Sequence, residues 1–180
     1  NIRDQEFHIK EDKKKYEEGK QIEKIIFKEF LKMIKTLSKS FSDKTIIIRP
    51  HPMEIKNFYN EEFKTFDNIK VIYEGSSKEW IVDADTVIHH DCTTGVEAFL
   101  ARKRVISFSP YYNKDHIIKL PQDVSIKFDK IESLINYLKK GIQDDPLDFE
   151  KKNSKLLELT NNINSENNKA VDIIVLNLAK

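Results

Sequence analysis

Two short β-branched runs constrain this chain more than any other feature. The first, 45–48, ends abruptly in Arg49-Pro50-His51-Pro52; the second, 86–88, ends in His89-His90-Asp91-Cys92-Thr93-Thr94-Gly95. Ile46, Ile47 and Ile48 form an uninterrupted apolar run, which suits a strand buried on both faces of a parallel sheet. Both runs spill polar groups from their carboxyl ends, where open parallel sheets bind ligands. The rest of the chain reads as the scaffold that brings the two ends together.

The intervening segments alternate in period. Ile22, Ile25, Ile26, Phe30, Met33, Ile34 and Leu37 recur at helical spacing, predicting an amphipathic helix that runs to about residue 40. Upstream of it, residues 1–24 hold seven basic and seven acidic side chains, several as Glu-to-Lys pairs four apart, as in an exposed helical or frayed segment. Beyond the first strand the pattern predicts a helix over 53–66, a strand over 69–73 and a short helix opened by Gly75-Ser76-Ser77. A strand over 86–90, a helix over 94–102 and a strand over 105–108 follow. Residues 111–123 read as a loop, 124–128 as a weak strand, and 131–138 as a helix with Gly141 as its C-cap. Alternating strands and helices predict an α/β fold, a Rossmann-like doubly wound parallel sheet of about five strands with flanking N- and C-terminal helices. The expected division is a helical lead-in at 1–40, the Rossmann-like domain at 41–146, and a helical tail at 147–180 packing on it.

Composition narrows the function classes. Hydrophobic residues make up 39% of the 180 and charged residues 34%, enough for a core under a heavily solvated surface. The net charge of +1 gives no global electrostatic case for nucleic acid or for an anionic membrane. No apolar run approaches the ~20 residues of a membrane span, and no secretory signal is visible. Cys92 is the single cysteine, which excludes an internal disulfide and fits a reducing compartment. These features lead to the expectation of a cytoplasmic protein, peripheral at the inner face of the membrane. The first residue is Asn rather than Met, so the expectation is of a piece preceded by either a signal or a whole partner domain.

The two strand ends hold the candidate site. A loop 91–95 leading into a helix would offer first-turn amides and a favourable dipole to an anion, with hydroxyls from Thr93 and Thr94 and close backbone approach at Gly95. Thr94 to Glu97 also fits a capping box, so Glu97 stays open between capping and ligand contact. His51, held between Pro50 and Pro52, presents an imidazole on a stiffened backbone, next to Arg49. Of the neighbouring histidines, His90 is nearer the strand end and is the crevice candidate, whereas His89 reads as a packed core residue. A metal site from His51, His89, His90, His116 and Asp91 lacks any ligating spacing, and no cofactor is expected. Cys92 lacks an identifiable base for nucleophilic work. Ser76-Ser77 reads as the cap of the Trp80 helix.

RPHP after one strand, followed in order by HxxCTTGVEAFLARKRVISFSP, resembles the C-terminal nucleotide-binding half of GT-B-type enzymes of bacterial surface polysaccharide synthesis. The likeness covers roughly residues 45–110. It is to the surface carbohydrate biosynthesis proteins, which share an HP motif and a Ser/Thr-pair motif with CMP-sugar transferases and CDP-glycerol glycerophosphotransferases. The resemblance implies a CMP- or CDP-linked sugar donor, with His51, Thr93 and Thr94 on the nucleotide phosphates, Glu97 near the ribose and Arg49 in support. His51 would bind or protonate the leaving phosphate. The glycerophosphotransferases carry an aromatic-Asp-aromatic run where this chain has Val96-Glu97-Ala98-Phe99, which favours sugar transfer over glycerol phosphate transfer. The resemblance also implies a partner N-terminal domain for the acceptor and the catalytic base. Two alternatives stand beside it: a UDP-sugar epimerase-like half of the same architecture, and a non-catalytic binding or scaffold domain.

Overall fold

The structure, a computed structural model, describes residues 2–51, 54–111 and 118–141 together with Lys151 and Ser154. The expected tail at 147–180 therefore lies outside the described residues, apart from those last two.

The chain opens with one continuous helix, α1 (Ile2–Ser40), so the charged lead-in takes the helical of its two expected forms and runs unbroken into the amphipathic stretch. Five short strands follow: β1 (Ile46–Ile48), β2 (Ile69–Val71), β3 (Thr86–His89), β4 (Arg104–Phe108) and β5 (Ile126–Phe128). Between them run α2 (Lys56–Phe63), α3 (Ser77–Asp83), α4 (Thr94–Leu100) and α5 (Lys119–Asp123), and α6 (Ile131–Lys139) closes the domain. Every strand pairing is parallel. The strands form two hydrogen-bonded sheets, β1 with β2 and β3-β4-β5 with β4 in the centre, rather than one continuous ladder. This is an α/β fold of Rossmann-like character with flanking helices.

Strand periodicity explains the layering. Along β3 and β4, Ile88, Ile106 and Phe108 face one way and Val87 and Val105 the other, as the two-residue period demands. The first set packs with Met33 and Leu37 of α1 and with Ile131, Leu134 and Ile135 of α6. The second packs with Ile81 of α3, Ala98 and Phe99 of α4, and Val124. The three-stranded sheet is thus covered on both faces, and Ile106, Phe108 and Leu134 are wholly buried, each contributing about 1.5–3 kcal/mol of transfer free energy. The smaller sheet packs Ile48 and Ile69 on Tyr59 and Phe63 of α2, with Leu31 and Ile34 of α1 alongside. α1 bridges the two halves: Ile34 touches both clusters, and so does Ile46 of β1.

One local difference from the sequence reading has a simple cause, and one expectation is met. Residues 119–123 form a helical turn, α5, where a loop was expected; Pro121 tolerates a first-turn position because its missing N–H would be unsatisfied there anyway. Gly141 does end α6, at φ +59°, with its amide on the Leu138 carbonyl at 3.2 Å. No helix among the described residues is long and apolar enough to cross a membrane.

Candidate functional site

Three loops leave the carboxyl ends of β1, β2 and β3, and two side-chain contacts tie them into one rim. Arg49, directly after β1, reaches across to the β2–α3 loop, where its guanidinium donates to the carbonyls of Ile72 at 3.4 Å, Glu74 and Gly75 at 2.8 Å. Gly75 sits at φ +75°, a conformation open to glycine at little steric expense. The next link is Ser77, whose hydroxyl donates to Glu97 of α4 at 3.4 Å. Arg49 is thereby engaged with backbone, which gives it the task of holding two loops together.

His51 is exposed, and its backbone is fixed from the downstream side. Its amide donates to Glu54 Oε2 at 2.5 Å, while the Glu54 amide donates back to the His51 carbonyl at 2.8 Å. The other carboxylate oxygen of Glu54 accepts from the Tyr59 hydroxyl at 2.7 Å. Burial, with the Glu54 hydrogen bond and charge behind it, raises the Tyr59 pKa well above its ordinary value, so this phenol stays a donor. Pro52, the last residue of the HP motif, lies outside the described residues, as does His116.

The β3–α4 loop is built over a buried histidine. His89 is 5% exposed, and its Nε2 lies 2.8 Å from the Ser125 hydroxyl, which itself donates to the Pro121 carbonyl at 2.6 Å. A hydroxyl whose proton is committed accepts from Nε2–H, leaving Nδ1 as the acceptor for the Cys92 amide at 3.4 Å. The ring is therefore a neutral Nε2–H tautomer. Burial pushes its pKa down to about 4, against an opposing pull from Asp91. Gly95 lies directly over this ring: a Cβ there would sit 2.3 Å from His89 Nε2. Close approach at Gly95 is thus an approach to an internal imidazole.

A second buried polar group supports the same loop. Asp91 adopts φ +44°, a left-handed conformation that Asp tolerates better than most residues, and its Oδ1 accepts from Gln122 Nε2 at 2.5 Å. The same amide nitrogen lies 2.7 Å from Ser107 Oγ and 3.1 Å from Ser109 Oγ. Its two N–H donors are shared among three acceptors in a site where Gln122 is 3% exposed and Ser107 fully buried. Of these residues only Asp91 stood out in the sequence reading; Gln122 and Ser107 did not. The available signal was Ser107-Phe108-Ser109, polar residues on alternate positions of a strand that otherwise reads as core.

The loop's remaining groups separate by exposure. Thr93, not Thr94, is the N-cap of α4; it is exposed and makes no side-chain capping bond. The expected capping box is absent because Thr94 lies inside the helix, where its hydroxyl accepts from Cys92 Sγ at 3.2 Å, and Glu97 turns to Ser77. First-turn amides are also less available than expected. Gly95 donates to the Cys92 carbonyl at 2.9 Å, and Val96 and Glu97 donate to that of Thr93 at 2.9 and 3.2 Å. His90 is half-buried, with Nδ1 3.2 Å from the Phe108 carbonyl and its ring edge on Phe30. Among the described residues, no group of three or more His, Cys, Asp or Glu side chains is placed to hold a metal ion.

The fold and rim define a class: an α/β domain with polar loops gathered at the carboxyl ends of parallel strands. No protein-family model, curated protein or solved structure matches the chain.

Proposed function

We propose that this chain is the nucleotide-sugar-binding half of a glycosyltransferase of bacterial surface polysaccharide synthesis, taking a CMP- or CDP-linked donor. In this reading the exposed imidazole of His51 and the exposed hydroxyl of Thr93 meet the donor phosphate, and His51 hydrogen bonds to it or protonates it as it leaves. An imidazole can serve either role near neutral pH, and stabilising a departing phosphate is an electrostatic contribution. The observation that carries the reading is the joining of the β1, β2 and β3 loop ends through Arg49 and the Ser77–Glu97 contact. It puts two separately encoded polar motifs on one rim, where α/β sheets receive ligands. Glu97, held by Ser77, would stand towards the ribose.

The acceptor and the catalytic base are assigned to a partner N-terminal domain, so this chain's share of catalysis is donor binding and leaving-group stabilisation. The protein would act in the cytoplasm, peripheral at the inner face of the membrane. A thermal-shift panel of CMP, CDP, UMP, UDP and GDP tests the reading, because a ligand that binds the folded state raises apparent stability. Stabilisation by a cytidine nucleotide is expected. A response confined to uridine nucleotides would move the protein to the epimerase-like reading, and no response would favour a non-catalytic scaffold.

A further inference from the structure

The overall charge is nearly balanced, but its distribution on α1 is not. Lys20, Lys24, Lys28, Lys32, Lys35 and Lys39 recur at steps of four and three, so they share an arc of about 120° and extend over about 28 Å of helix. This arc lies opposite Met33 and Leu37, which α1 turns to the three-stranded sheet, but it also holds Leu31, which packs on the smaller sheet. Only two carboxylates fall on α1 between Lys20 and Lys39. Glu23, three residues from Lys20, sets its charge beside one end of the row, and Glu29, flanking the other edge, lies 3.7 Å from Lys32. One more, Glu62 of α2, meets Lys35 at 2.5 Å. Lys28, Lys32, Lys35 and Lys39 border an open groove of about 450 Å³ whose floor includes Leu31.

We propose that this lysine face of α1 is a docking surface for an anionic lipid bilayer. The inference deepens the peripheral placement suggested above and rests on that reading. Three features favour a lipid surface over nucleic acid. The cations are all lysine, point charges suited to a diffuse anionic plane, with no arginine fork for bidentate phosphate recognition. They spread over one broad face about 28 Å long, which suits an extended partner surface. Exposed apolar side chains border the row: Ile25 on one edge, 47% exposed, and on the other Phe27, 36% exposed and packed on the rings of Phe58 and Tyr59 of α2. Lysines beside shallowly inserting apolar groups are the pattern of helices that lie in a membrane interface, their stems on the apolar side and their heads in water.

Flotation with vesicles of phosphatidylcholine alone, and of phosphatidylcholine mixed with phosphatidylglycerol, tests this on the full chain. Binding to the anionic vesicles alone is expected, with loss as ionic strength rises from about 0.05 to 0.5 M. Each lysine near an anionic surface is worth about fivefold in affinity, so Lys24→Gln/Lys28→Gln/Lys39→Gln should weaken binding by about two orders of magnitude. Glu29→Gln should instead strengthen it by up to about fivefold, a gain that misfolding does not produce. Equal binding to neutral vesicles, no binding at low salt, an unaffected triple variant, or release from vesicles by duplex DNA at matched phosphate would each overturn the proposal. Nucleotide affinity of the triple variant should equal that of the parent, which separates failure of this surface from failure of the rim.

Discussion

The two sides of the rim, one at each sequence motif, are built on opposite plans. Behind the β3–α4 loop, imidazole, carboxamide and hydroxyls are buried: His89 against Ser125, and Gln122 against Asp91, Ser107 and Ser109. At the β1 loop the corresponding groups are at the surface, with Arg49 on carbonyls of the neighbouring loop and His51 exposed. Buried polar groups are costly unless all are satisfied, and then they specify one arrangement. The β3 rim therefore shapes a loop, while the β1 rim presents a side chain. His89, read from the sequence as a packed core residue, is buried in the first plan, and His51 is exposed in the second.

Substitutions can break this contrast, beginning with the largest effect. Gly95→Ala drives a methyl group into the His89 ring, only 2.3 Å away, with the buried imidazole unable to retreat; a loss of about 3 kcal/mol is expected in urea denaturation. A much smaller loss would mean that the ring is not locked beneath α4.

His89 also predicts a pH dependence. Its folded pKa of about 4 lies below the ordinary 6.5, so below pH 6.5 the unfolded chain takes up a proton that the folded chain refuses. Its contribution is fully present above about 6.5 and is lost progressively as pH falls towards 4, by ~3 kcal/mol in all. Denaturation at a series of pH values should show this slope, and His89→Gln should flatten it.

Gln122→Ala strips the Asp91 carboxylate and the Ser107 hydroxyl of a common donor, with an expected loss of about 2 kcal/mol. Stability close to the parent's would show that the network does not shape the loop.

Much of the scaffold was legible because period and burial coincide. The alternation at Val87 and Ile88 and the spacing of Met33 and Leu37 each sit where their signal points, whereas Ile46 to Ile48 form the expected strand with only Ile48 buried, because β1 pairs on one side alone. The site was legible only as a location. Nothing in the sequence marks Arg49 as a clamp, because its acceptors are backbone carbonyls that every residue possesses. Gln122 was equally silent: its partners are 13 to 31 positions away, and α5 is too short to show a helical period. Gly95 looked like room for a ligand, and only the tertiary position of His89 shows what fills that room.

The central claim is that the β1 rim presents His51 to a nucleotide phosphate while the β3 rim holds the opposing loop in shape. Calorimetric titration of the parent and of His51→Ala with CMP and CDP tests it most directly. Replacing an exposed side chain should leave stability within about 0.5 kcal/mol, while loss of a hydrogen bond to a charged phosphate weakens affinity by about tenfold or more. Cytidine nucleotide binding that falls to this extent in a variant with an unchanged melting temperature is the expected result. Absence of binding by the parent, or equal affinity in the variant, would contradict the account.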